Sequence, residues 1–300
     1  MKRDLISFSL WSREALAEIL ELARSLSSTG VTERPLEGAT VALVFERESL
    51  RTRVSFEGGI AALGGHPVFL QQQAIGIVTR ESVHDIAVTL SQYCRIIVAR
   101  TTRHQTLVQI AESATIPVVN ALTDLLHPCQ ILADAYTLQT VGRFSPAVKI
   151  VIIGDGNSVA NSWLELAEKF PLHLVFSCPH GYEPHPGILE QAINAGVSTI
   201  EIVHDPYEAV READVIYTDV WLQSRGSVDE QRRLSIFRPF QVNQALLNKA
   251  HPHCLVMHRL PANRGEEITS DVLDGKNCIA LVQARNRKHV QEAIMMKLIG

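Results

Sequence analysis

The chain has 300 residues, of which 46% are hydrophobic and 20% charged, with a formal net charge of −4. That length favours two domains over one, and the composition is that of an ordinary globular protein. The charge balance excludes a basic field able to recruit nucleic acid or an anionic membrane, so an anionic ligand must be held by a local group of donors. The opening segment Met1–Ser7 lacks the apolar stretch of a signal peptide, and no apolar run reaches the roughly 18 residues of a membrane span. Five cysteines, Cys94, Cys129, Cys178, Cys254 and Cys278, are odd in number, scattered and free of CxxC spacing. That pattern points to reduced thiols in a cytoplasmic protein and away from a disulfide framework or a zinc site. The local cluster His251-Pro252-His253-Cys254 has no second ligand pair at metal-site spacing, so no metal is expected there.

Leu16, Ile19, Leu20, Ala23 and Leu26 recur at helical spacing behind Ser12, a candidate N-cap, and predict an opening helix. Short β-branched runs then alternate with helix-like segments. In the first half they predict strands at Thr40–Phe45, Pro67–Leu70, Ile96–Ala99 and Ile116–Val119. In the second half they predict strands at Lys149–Ile153, Leu172–Phe176, Thr199–Val203, Val215–Thr218 and Cys254–Met257. Such alternation argues for parallel sheets covered on both faces, and nine strands divide into two open sheets. The expected fold is α/β, with two doubly wound parallel-sheet domains. The turn-rich segment Gly142-Arg143-Phe144-Ser145-Pro146 suggests domains at residues 1–142 and 143–285, with the C-terminal helix, 286–300, assigned to the first.

In sheets of this kind, ligands bind beyond the carboxyl ends of the strands. The strand Val41–Phe45 runs into Glu46-Arg47-Glu48-Ser49-Leu50-Arg51-Thr52-Arg53 and then an apolar-periodic helix from Val54. Hydroxyls and an arginine at a helix start suit a phosphate, because exposed N–H groups and the helix dipole favour an anion. Arg51 can add a bidentate contact. A second strand ends at Arg100, and a third leads through Asn120 to His127-Pro128-Cys129-Gln130, where Pro128 suits a first helical turn. A capped helix with solvated charges would explain any one of these. Three strand ends carrying Ser/Arg/Thr, Arg and His/Gln point instead to an anion cradle.

These segments, together with His104, Gly154-Asp155-Gly156-Asn157-Ser158-Val159-Ala160-Asn161-Ser162, His258-Arg259-Leu260-Pro261 and Gln283-Ala284-Arg285-Asn286-Arg287, resemble the ornithine/aspartate carbamoyltransferase family. The resemblance is collinear from about Leu5 to the C-terminus. It leans to the ornithine branch through Thr218-Asp219-Val220-Trp221 and Arg264-Gly265-Glu266-Glu267. It implies that Ser49, Arg51, Thr52, Arg100, His127, Gln130 and Arg287 bind carbamoyl phosphate, and that the active site lies in the cleft between the domains. Leu50 falls within the same substrate-binding stretch, although its side chain is not an anion ligand. The implied reaction needs neither cofactor nor metal: an amine attacks the carbamoyl carbon while Arg51, Thr52, Arg100 and His127 stabilise the developing oxyanion and the phosphate. The family also implies a homotrimer or a multiple of it, with Gln73 and Ala74 in the region of a subunit border.

The acceptor half is where the chain departs from the family. By resemblance Asp219 holds an amino acid's α-amino group, with Asn157, Ser158, Gln223, Ser224, Arg225, Arg259 and Leu260 around it. Ser158 stands where a second asparagine is usual, Gln223 to Gly226 shifts a glycine by one position, and Arg259 stands where a cysteine is usual. Arg259, as a catalytic-site residue, and Arg225 are expected to alter the charge preference of the acceptor site. An acidic or acylated acceptor, or a non-catalytic regulatory role, stands as the alternative to ornithine. A dinucleotide fingerprint at Gly154-Asp155-Gly156 is disfavoured, because the third glycine and the following acidic strand end are missing.

Overall fold

The structure is a computed structural model that describes residues 2–72, 76, 81–222 and 229–300. Parallel pairing organises it into two sheets. The first contains β1 (Thr40–Phe45), β2 (His66–Gln71), β3 (Ile96–Arg100) and β4 (Val118–Leu122), in the order β2-β1-β3-β4. The second contains β5 (Lys149–Ile153), β6 (His173–Ser177), β7 (Thr199–Ile202), β8 (Val215–Thr218) and β9 (Leu255–His258), in the order β7-β6-β5-β8-β9. The α/β class and both parallel sheets expected from the alternation are present. β4 starts two residues later than the apolar run at Ile116 suggested. Pro117 has no N–H to give the ladder, which begins where Ile97 faces Val118.

Among the described residues, the first sheet is accompanied by α1 (Arg13–Thr29), α2 (Leu50–Ala62), α3 (Val83–Tyr93), α4 (His104–Ser113) and α5 (Pro128–Thr140). With the second come α6 (Ser158–Ala167), α7 (Pro186–Asn194), α8 (Pro206–Ala209), α9 (Glu230–Phe237), α10 (Gln244–Leu247) and α11 (Ser270–Leu273), and the long α12 (Ala280–Ile299) returns from Arg285 onward to the first unit. Ser12 caps α1 by accepting from the Ala15 N–H, and the five apolar residues read from the sequence are its buried face. α2 starts four residues before the apolar run at Val54, because Ser49 caps it by accepting from the Thr52 N–H. α12 starts six residues before Asn286, the start expected from the sequence. Its buried side includes Gln283, Asn286, Arg287, Gln291 and Glu292, so no apolar stripe marks its beginning. Among the described residues, no helix is long and apolar enough to cross a membrane.

The chain forms two compact units, Met1–Tyr136 with Arg285–Gly300, and Thr137–Ala284. In the first, Ala42, Val44, Ile97, Ala99 and Val118 of the sheet pack on Ile86, Ala87, Leu107, Ile110 and Ala111 of α3 and α4. α2 lies against α12, closely enough that a Cβ on Gly59 would make a tight 3.2 Å contact with Glu292 Cγ. In the second, Val151, Ile153, Val175, Ile216 and Val256 form a core with Trp221, Phe237 and Phe240.

Each sheet reverses its direction of growth once. In the first, β2 lies on one side of β1 and β3 on the other; in the second, β6 lies on one side of β5 and β8 on the other. At such a reversal the connections leave in opposite directions and open a crevice at the carboxyl edge. Ser49 follows β1 and Arg100 ends β3; Asn157 follows β5 and Asp219 follows β8. Both reversals therefore receive polar residues singled out from the sequence.

Phe56 is fully buried on α2 and holds that helix to its unit. Phe56→Ala should cost about 3–5 kcal/mol of stability. Chemical denaturation monitored by circular dichroism reads this as a lower midpoint, and an unchanged midpoint would remove Phe56 as the anchor of α2.

Candidate active site

In the first unit a chain of hydrogen bonds joins residues that lie far apart in sequence. Ser49 Oγ and Thr52 Oγ1 are 2.8 Å apart at the N-terminus of α2. Arg287 Nη2 donates to Thr52 Oγ1 at 2.8 Å, and Arg287 Nη1 donates to Gln130 Oε1 at 3.1 Å. Gln130 Nε2 donates onward to Asp134 Oδ1 at 2.9 Å. Thr52, Gln130, Asp134 and Arg287 are all buried, so this network works where solvent screening is weak and each hydrogen bond is correspondingly strong. One guanidinium thus ties the first turn of α2 to the first turn of α5.

Arg51 lies in that same first turn of α2, half-buried. Arg100 is the last residue of β3, directly opposite Phe45 of β1, and its carbonyl accepts the Glu46 N–H at 2.9 Å. His127 is fully buried immediately before α5. The sheet order makes β1, β3 and β4 neighbours and sends β2 to the edge. The three polar strand ends read from the sequence consequently share one continuous edge. Leu50 is 73% exposed, and its apolar side chain offers an anion no donor. His104 Nδ1 is 3.0 Å from Thr123 Oγ1, and burial lowers the imidazole pKa from its ordinary value.

The second unit gathers its polar residues around Asp219, which is buried just beyond β8. Asn157 caps α6 with its Oδ1, accepting from the N–H groups of Val159 and Ala160, and its Nδ2 donates to Asp219 Oδ2 at 3.0 Å. Arg259 Nε donates to the same oxygen at 2.8 Å, with only 13% of the arginine side chain exposed. Asp219 Oδ1 is buried and accepts no hydrogen bond from the described residues. Arg259 therefore turns inward, and its charge is balanced by Asp219. Ser158, the first residue of α6, is buried.

Arg259 and Leu260 sit on a loop whose shape is held from outside. Leu260 has a positive φ of 56°, an uncommon backbone conformation for leucine, and its N–H donates to His258 Nδ1 at 2.9 Å. That contact makes Nδ1 an acceptor, so the imidazole proton is on Nε2, 3.1 Å from Glu267 Oε1. Glu267 Oε1 also accepts the Asn263 N–H at 2.6 Å, and the His258 N–H donates to Gln283 Oε1 at 2.9 Å. His258 and Glu267 are completely buried.

The glycines that suggested a dinucleotide fingerprint have a different use. Gly154 has a φ of 126°, and a Cβ on Gly156 would lie 2.2 Å from the Glu183 carbonyl carbon, so Gly156 accommodates protein backbone. Asp155 between them pairs with Arg233 Nη2 at 2.5 Å. Burial raises the Asp155 pKa, Arg233 opposes that shift, and Asp219 adds to it. Arg233 comes from a charged run, Asp229 to Arg233, that reads as a solvated surface. Glu267 was visible only as part of a motif, and Asp134 only as an acid inside an apolar helical stretch. Gln223, Ser224, Arg225, Gly226, Gln73 and Ala74 lie outside the described residues.

A polar cradle at the reversal of one doubly wound sheet and a carboxylate-centred cluster at the reversal of another define an α/β protein built to bind two small polar ligands. Family models give that class a name. The carbamoyl-P binding domain of aspartate/ornithine carbamoyltransferase matches residues 3–140, and the Asp/Orn binding domain of the same family matches residues 147–298. The chain belongs to the aspartate/ornithine carbamoyltransferase family. It is 45% identical over 305 residues to an ornithine carbamoyltransferase of Chlorobaculum tepidum, covering 100% of this chain and 90% of the relative. It is 44% identical to the chloroplastic ornithine carbamoyltransferase of Pisum sativum, covering 99% of this chain and 80% of that one. Among solved structures, the ornithine carbamoyltransferase of Pyrococcus furiosus aligns with a TM-score of 0.92 at 41% identity, covering 98% of this chain and 96% of the other.

The clamp on the Arg259 loop can be tested by removing its acceptor. Glu267→Ala leaves a buried donor, His258 Nε2–H, and a half-buried one, the Asn263 N–H, without their partner. The expected cost is about 1–3 kcal/mol for each orphaned group. Glu267→Gln keeps an acceptor oxygen and should recover part of that loss. Equal thermal midpoints for the two variants and the parent would show that the loop does not depend on Glu267.

Proposed function

We propose that this chain transfers the carbamoyl group of carbamoyl phosphate to the side-chain amine of ornithine, yielding citrulline and phosphate. The observation that carries the acceptor assignment is the buried Oδ1 of Asp219, an acceptor without a donor among the described residues. A buried carboxylate oxygen with spare lone pairs is suited to an ammonium group. Asn157 and Arg259 take the other oxygen, so substrate and arginine each have their own side of Asp219. An unbalanced arginine about 4 Å from an ammonium would oppose it by roughly 4 kcal/mol at an effective dielectric near 20. Asp219 offsets that repulsion, which leaves Arg259 able to meet the amino acid's α-carboxylate. The names of the relatives support ornithine in the same direction.

Carbamoyl phosphate is assigned to the first unit. The N–H groups at the start of α2, with Ser49, Thr52 and Arg51, face the phosphate, and Arg100 closes the edge beside them. His127, Gln130 and Arg287 complete the cradle on the α5 side. The neutral side-chain amine of ornithine attacks the carbamoyl carbon, forming a C–N bond as the C–O bond to phosphate breaks. The carbonyl oxygen gains charge during attack and is stabilised by these fixed donors. The amine proton leaves on the departing phosphate. Alignment of the two reactants in a water-poor site supplies much of the remaining acceleration.

The deciding assay mixes the purified chain with carbamoyl phosphate and a panel of amines, scoring phosphate release and ureido product together. Ornithine should be the preferred acceptor; preference for an acidic or acylated amine would overturn the assignment. Arg51→Ala should lower kcat by about 10²–10³. Asp219→Asn should raise the KM for ornithine about tenfold to a hundredfold, the worth of one hydrogen bond to a charged group, with little change in the KM for carbamoyl phosphate. Arg51→Ala turnover within threefold of the parent would remove that residue from the site.

The family resemblance further supports a homotrimer in solution, and the five cysteines, none in a disulfide, support a reducing compartment such as the cytoplasm. Sedimentation at micromolar concentration should give the mass of three chains; a fully active monomer would refute it.

A further inference from the structure

At the far end of the second sheet's carboxyl edge, away from Asp219, the loops after β6 and β7 bring together His180, Glu183 and His204. One donor atom from each lies within 4.8 Å of the other two. The strand order explains the meeting: β6 and β7 are neighbours, so the loop leaving β6 and the residues just past β7 emerge side by side. The His180 and His204 rings are 3.6 Å apart between centroids, and His204 Nε2 is 3.9 Å from Glu183 Oε1.

We propose that these three side chains form a site for a divalent transition-metal ion of the zinc type, with water completing its coordination. Two imidazoles and a carboxylate are the donor types that Zn²⁺ and its neighbours in the first transition row accept. His204 is prepared for the role. Its Nδ1 lies 2.8 Å from the Cys178 carbonyl oxygen, which can only accept, so the proton is on Nδ1 and Nε2 presents a lone pair. Glu183 is steadied by the Gly181 N–H, which donates to Oε1 at 3.1 Å. His180 is exposed, with its ring against that of His204 and a ring nitrogen near Glu183. Ligands of a tetrahedral zinc ion stand about 3.3 Å apart. The 3.9 Å between His204 and Glu183 therefore needs only a small side-chain rotation.

The main chain of Glu183 also presses on Gly156, in the turn that leads to Asn157, and the Gly156 N–H donates to the Tyr182 carbonyl at 2.8 Å. A bound ion would thus brace the 178–183 loop against that turn, and occupancy should raise the melting temperature of the chain.

The test uses the full chain, stripped by a chelator and titrated with Zn²⁺ by calorimetry and with Co²⁺ by visible absorbance. The parent should take up one ion per chain at this site and melt at a higher temperature when loaded. His180→Ala should weaken binding by at least about tenfold and abolish the melting shift, since it removes one of three protein ligands. Its metal-free melting temperature should lie close to that of the parent, because the ring is exposed at the surface. Glu183→Gln should weaken binding as well. The double variant His251→Ala with His253→Ala, which alters the other local histidine pair, should bind as the parent does. Failure of the parent to take up either ion, binding by His180→Ala equal to the parent's, or loss of binding in the double variant would each overturn the site.

Discussion

A parallel sheet that reverses its order of growth leaves two neighbouring strands whose following segments must diverge, and the gap between them cannot be filled by either helix. This happens once in each unit, between β1 and β3 and between β5 and β8. Helix N-termini and strand ends gather at these places, so the backbone itself supplies N–H groups and directed side-chain positions before any residue is specialised. Ser49 and Thr52 exploit one gap, and Asn157 and Asp219 the other. The same reversal therefore determines where an anion is welcome in the first unit and where a carboxylate can be presented in the second.

Buried polar groups then make each place specific. Arg287 could not remain in the interior of the first unit without partners, and Thr52 and Gln130 provide them. In satisfying its own hydrogen bonds, that arginine also sets the distance between α2 and α5. Asp219 is held in a comparable way by Asn157 and Arg259, and the loop bearing Arg259 is pinned by His258 and Glu267. The close backbone approach at Gly156 fixes the turn that leads to Asn157, because a side chain there would strike the Glu183 main chain. Positional precision in this molecule comes from hydrogen-bonded polar networks as well as from apolar packing.

Family membership and the departures from it meet at Arg259. A residue type that reads from sequence as an added positive charge in the acceptor site is, in the folded chain, one half of an ion pair with Asp219. A substitution at a binding edge changes chemistry only through the partner that the fold supplies, and Asp219 is that partner.

Much of this protein was legible in the order of its residues. The alternation of β-branched runs with helical periodicity established the α/β class and both parallel sheets, because side-chain periodicity is a local property. Arg100 stood out because it closes an apolar strand, and Ser49, Arg51, Thr52, His127 and Asp219 because they lie just beyond strand ends, where ligands gather. What stayed hidden depended on contacts between distant segments. α12 lacked a readable start because its buried side contains Gln283, Asn286 and Arg287, whose partners come from elsewhere in the chain. The Arg233–Asp155 pair and the meeting of His204 with His180 and Glu183 link segments far apart in sequence, and the Glu267 clamp, though only nine residues from His258, depends on a loop shape that no pattern marks. Sequence by itself determined which elements form and which residue types wait at their ends. Tertiary structure alone decided which of those residues share a charge, a proton or a place, since strand order is set by packing between segments that no local pattern records.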